Sequence, residues 1–122
     1  MNTDKLIQQT KELRALNQEA ESHFYHFAEE GREASFFDEV KPFADRVSHA
    51  LSEWQSDLNE WMKTYNPSYL HWSQVEQMIE HFEVVSVKAF SEDTRKKQFI
   101  EQIKSIEYTL SVIAGELEKG EK

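Results

Sequence analysis

The sequence predicts an all-α fold, an antiparallel up-down-up-down four-helix bundle, on two spacings and one scarcity. Val40, Ala44, Val47, Leu51, Trp54, Leu58, Trp61 and Tyr65 recur at steps of four and three, and so do Phe99, Ile103, Ile106, Leu110, Ile113 and Leu117. Such steps place each set on one stripe of an α-helix, ready to pack on other helices. Only three glycines and two prolines interrupt 122 residues, too few for many short elements.

A first helix is expected over about residues 4–30, with Leu6, Leu13, Leu16, Ala20, Phe24 and Phe27 inward. Thr10 and Asn17 fall near that stripe, so this end is expected to fray or to sit at a rim. Gly31, which tolerates positive φ, stops the helix. Ser35 and Asp38 have the spacing of a capping box, which starts a new helix near Phe36. Pro42 is too deep for a first turn. The second helix is therefore expected to be kinked or preceded by a short helical turn over residues 36–41. Its long part ends at Asn66-Pro67, because a residue before proline avoids the α region.

A third helix begins at Trp72 or Ser73, with Ser73 and Glu76 as its box, and buries Val75, Met78, Ile79, Phe82, Val85 and Ala89. The fourth covers about residues 94–118, and residues 119–122 are expected to be a disordered tail of one domain spanning residues 1–122. A rod of 25 residues is about 38 Å long, and short connections force its neighbours antiparallel. One bundle end then collects Phe24, Tyr25, Phe27, Phe36, Phe37, Phe43, Phe90 and Phe99; the other collects Trp61, Tyr65, Tyr69 and Trp72.

Net charge is −9, and the first two helices each carry six acids against three bases. Nucleic acid and anionic membrane are poor partners for such surfaces. Arg95-Lys96-Lys97 follows Glu92-Asp93 and is expected to pair locally. Without cysteine there is no thiolate chemistry and no disulfide, and no stretch approaches the ~20 apolar residues that span a bilayer. With a polar start lacking an apolar signal core, a cytoplasmic location is the simplest expectation.

Chemistry is harder to find. A carboxylate-bridged metal pair in a bundle needs inward Glu-x-x-His motifs, and the sequence has none. His23, His49 and His81 come from three helices, but their faces diverge on a helical wheel. Ser48, His49, Asp45 and Glu53 share an exposed polar face, not the buried acid and oxyanion hole of a triad. Gly31, Gly115 and Gly120 are isolated and form no phosphate cradle. No catalytic residue, metal or cofactor is therefore expected. Trp54 and Trp61 read as core, or with Phe82 as the lining of an apolar ligand pocket.

Tyr65, Tyr69, His71 and Trp72 form an amphipathic cluster at one end, the candidate surface for an unknown protein partner. The reading is a non-catalytic protein-binding or adaptor bundle. The alternative is a metal-dependent or small-hydrophobic-ligand-binding enzyme. A monomer is expected, with a weak homodimer as the alternative.

Three segments carry a resemblance: Phe36-Phe37 with Lys41-Pro42; Pro67, Tyr69, His71, Gln74 and Glu76; and Lys96-Lys97, Phe99 and Tyr108-Thr109-Leu110. Together they resemble the YppE-like family, small cytoplasmic four-helix-bundle proteins of Gram-positive bacteria. The resemblance implies the fold and a bacterial origin. It implies no activity and no site residues, since the family has none assigned.

Overall fold

The computed structural model describes residues 3–67, 70–91 and 93–120. Four helices account for its frame: α1 (Thr3–His23), α2 (Lys41–Tyr65), α3 (Trp72–Lys88) and α4 (Lys96–Gly120). Each packs on its two neighbours in a ring, α1 on α2 and α4, and α3 on α2 and α4. Cross-helix bonds show the antiparallel register directly. Between α1 and α2, Gln9 meets Asp57, Thr10 meets Trp54 and Glu19 meets Arg46. Between α1 and α4, Arg14 meets Glu107 and Asn17 meets Ile103. In each series one number falls as the other rises.

The stripes read from the sequence form one apolar cluster. Val47, Trp54, Leu58, Phe82, Leu110 and Ile113 are all fully buried in it. Burying a side chain of this kind is worth about 1.5–3 kcal/mol. Trp54, Trp61 and Phe82 are packed core rather than the walls of an open pocket.

The start of α1 does not sit at a rim. Leu6, Thr10, Leu13 and Asn17 are all buried. Thr10 donates its hydroxyl to the Leu6 carbonyl at 2.8 Å and accepts the Trp54 indole N–H at 3.0 Å. The Asn17 amide donates to the Ile103 carbonyl at 2.9 Å. The two polar residues are tolerated inside because their donors are used, the condition for burying any polar group.

Beyond His23 the helix widens into a π-turn, Phe24–Ala28, closed by the Glu29 N–H on the Phe24 carbonyl. Here Phe24 stacks on Phe99 with centroids 4.5 Å apart, and Phe27 meets Phe90 at 5.2 Å. Gly31 at φ +68° then stops the chain, and the Arg32 N–H reaches back to the Phe27 carbonyl, the long bond of a Schellman-type end.

The short turn expected before Pro42 is a second π-turn, Phe36–Val40, and its last bond runs from the Lys41 N–H to the Phe36 carbonyl. Val40 and Lys41 keep right-handed helical angles, so the chain enters α2 without leaving the helix. Pro42 falls in the first turn of α2, directly after the π-turn.

Asn66 ends α2 in the left-handed region at φ 47°, its N–H on the Met62 carbonyl. Asparagine is among the few residues that adopt this conformation readily. The α3 cap lies two residues earlier than Ser73 and Glu76: the His71 N–H donates to Gln74 Oε1 at 2.9 Å. Lys119 and Gly120, expected in the tail, continue α4, while residues 121 and 122 lie outside the described residues.

Candidate functional site

Of the four residues expected to form a partner surface, three lie among the described residues, and Tyr69 falls outside them. Tyr65 is 48% exposed, its ring stacked on Trp61 at 5.4 Å. Trp72 is half-buried against the core. His71 is exposed and serves α3 through its backbone N–H. No ring contact or hydrogen bond joins Tyr65 to His71 or Trp72 among the described residues. Leu70, a lone apolar residue in the connection, is buried and closes this end. Its position in a loop leaves no periodicity by which to find it.

Among the described residues, the other end presents more apolar surface. Phe36 is 57% and Phe37 77% exposed. Their rings pack edge to face at 5.2 Å, the favoured geometry for an aromatic pair. The π-turn that carries them is pinned at its start. Ser35 Oγ accepts the Asp38 N–H at 3.3 Å, and Glu39 Oε1 accepts the Ser35 N–H at 3.0 Å. This is a capping box whose carboxylate comes from one residue later than in an α-helix, because the turn is wider. Asp38 and Glu39 make the edge of this surface acidic.

Three other rings cluster separately. The His23 ring sits 4.8 Å from both Phe43 and Phe90. Its Nε2 is 3.0 Å from Glu19, and Glu19 also accepts two bonds from the Arg46 guanidinium, at 2.7 and 3.1 Å. Burial pushes the Glu19 carboxyl up, but the bonds from Arg46 and His23 outweigh it and hold the carboxyl below its ordinary range. His49 is exposed beside Glu53 at 3.5 Å on another face. No group of three or more His, Asp or Glu side chains suited to a metal ion lies among the described residues.

Of the expected local pairing of Arg95-Lys96-Lys97 with Glu92-Asp93, Glu92 lies outside the described residues, and Lys96 has a partner farther off in the chain. It bridges to Glu29 at 2.9 Å and lies over the Tyr25 ring at 5.3 Å, tying the start of α4 to the end of the first helix. The hydroxyl of Ser91, not a lysine, bonds Asp93.

The fold therefore defines a ring-packed antiparallel bundle with its unusual features at its ends. The family model of a bacterial domain of unknown function, DUF1798, matches residues 10–117, and the chain belongs to that family. It is 20% identical over 117 residues to the uncharacterized protein YppE of Bacillus subtilis (strain 168), covering 96% of this chain and 95% of YppE. A crystal structure of a Listeria innocua protein of unknown function matches with TM-score 0.90 at 24% identity, over 98% of this chain and 95% of that one. A Staphylococcus aureus member of the family matches with TM-score 0.88 at 21% identity, over 96% and 99%. These likenesses establish the fold. No helix among the described residues is long and apolar enough to cross a membrane.

Proposed function

We propose that the protein is a non-catalytic, cytoplasmic protein-binding bundle that docks a partner through Phe36 and Phe37. The observation that carries this reading is the exposure of two adjacent aromatic rings on a pinned turn. Each ring leaves unclaimed a burial worth up to about 1.5–3 kcal/mol. The capped turn holds the pair in place before binding, which lowers the ordering cost of association. Asp38 and Glu39 beside the rings favour a partner with an apolar cleft and a basic rim.

The opposite end is the second candidate, through Tyr65, Tyr69, His71 and Trp72. Tyr65 is less exposed than either phenylalanine, and Trp72 is already packed on the core. Among the described residues there, the gain left for a partner is smaller.

The test compares pull-downs from native lysate using the wild type, Phe36→Ser/Phe37→Ser and Tyr65→Ser/Trp72→Ser. A protein recovered by the wild type and the second variant, but lost with the first, supports the reading. Equal recovery by all three removes it.

A further inference from the structure

The segment between the two π-turns, residues 32–35, has no regular structure and ends in an exposed serine. Ser35 has extended backbone angles, φ −75° and ψ 124°. Among the described residues it is the only exposed serine or threonine outside a helix. Ser91 and Thr94 are half-buried, and their hydroxyls bond Asp93 and the Lys88 carbonyl.

The Ser35 hydroxyl also pins the turn that carries Phe36 and Phe37. Its oxygen accepts the Asp38 N–H at 3.3 Å, and it donates to Asp38 Oδ2 at 3.4 Å. Glu39 Oε1 holds the Ser35 N–H at 3.0 Å. Two carboxylates therefore stand beside one neutral oxygen. The start of a helix offers about half a positive charge, which these acids already exceed. A phosphoryl group on the oxygen adds a charge of about −2 and removes the proton that Asp38 accepts. The bases nearest in sequence are engaged elsewhere, Arg32 with Glu30 at 2.7 Å and Lys41 with Asp45 at 2.6 Å. Repulsion then outweighs the attraction of the turn's N–H groups, and the turn opens.

Opening does not loosen the bundle, because Val40 is the one buried residue of the turn. A segment so lightly held can also extend into the cleft of a modifying enzyme. Arg32, three residues before the hydroxyl, is an exposed cation whose pair with Glu30 is easily given up. It offers a handle to an acidic subsite in that cleft.

We propose that Ser35 is a phosphorylation site for a serine/threonine protein kinase, and that its phosphorylation releases the partner docked at Phe36 and Phe37. The Ser35 oxygen attacks the γ-phosphorus of a nucleoside triphosphate. The bond to the β,γ-bridging oxygen breaks, the diphosphate leaves, and the hydroxyl proton passes to the kinase's base. The release rests on docking through those two rings; the modification of Ser35 does not.

The test starts from the full chain isolated from the organism's own cells, in growth and in stationary phase. Peptide mapping by mass spectrometry should find one phosphoryl group on Ser35 in at least one state. Ser35→Asn should abolish it while keeping an oxygen for the Asp38 N–H. Chain with phosphoserine installed at position 35 should exchange its Asp38 and Glu39 amides at least about tenfold faster than wild type, with α3 unchanged. A photo-crosslinker at position 37 should lose its protein adduct in the phosphorylated chain and keep it in Ser35→Asn. Ser35 unmodified in both states, exchange no faster, or an adduct indifferent to the phosphate overturns the proposal. No adduct from the unmodified chain counts against docking itself, and the mass and exchange results then decide the Ser35 site alone.

Discussion

Trp54 reaches across the interior to Thr10, its indole nitrogen 3.0 Å from the threonine hydroxyl, with both residues buried to within 1%. The hydroxyl in turn donates a hydrogen bond to the Leu6 carbonyl, so each polar atom of the pair has a use. One bond thereby fixes the height of α1 against α2.

Thr10→Val keeps the shape of the side chain and orphans the buried indole N–H. The expected loss is about 1–3 kcal/mol in urea unfolding. A double-mutant cycle with Trp54→Phe should return a coupling of about 1 kcal/mol. A neutral Thr10→Val would mean the bond does not form.

Two glycines should respond oppositely to alanine. Gly31 sits at φ +68° with nothing within 4 Å of an added Cβ, so only backbone strain opposes the change. Gly31→Ala should cost about 1–2 kcal/mol. Gly115 lies inside α4 with equally open space, and Gly115→Ala should stabilise by up to about 1 kcal/mol. Thermal melts of both variants check the contrast.

The Glu19 carboxyl titrates below its ordinary value in the fold, so the unfolded chain binds protons more readily than the folded one. Its contribution is full above an unfolded value of about 4.5 and fades as pH falls through the lowered folded value. Glu19→Gln should therefore lower stability at pH 7, and the difference should shrink as pH falls below about 4.5. Solvent and salt screen this partly exposed group, so the difference at pH 7 should stay below about 1 kcal/mol. A gap that widens toward acid would contradict the pairing.

Ser35→Ala removes the hydroxyl that caps the second π-turn and should cost about 1 kcal/mol. Hydrogen exchange should quicken at the Asp38 and Glu39 amides while the α3 amides stay protected. Uniform loss of protection would show that the turn is not a local unit.

The helical frame was legible in the sequence because Leu, Ile, Val, Phe and Trp repeat with the period of an α-helix. Phe36 and Phe37 could be suspected of exposure because they stand outside that rhythm. Thr10 and Asn17 were misplaced at a rim for a definite reason. Periodicity shows which face a polar residue occupies, but not that Trp54 or the Ile103 carbonyl waits across the interface to bond it. The π-turns were equally hidden, since a single wide turn leaves the surrounding spacing almost unchanged. The bridge from Lys96 to Glu29 joins residues far apart in the chain, which no local spacing announces.

The most direct test of the central claim is photo-crosslinking in living cells, with a reactive aromatic residue placed at position 37 in one strain and at position 65 in another. The account predicts a discrete protein adduct from position 37, competed by untagged wild-type protein, and none from position 65. An adduct confined to position 65, or none at either, would contradict it.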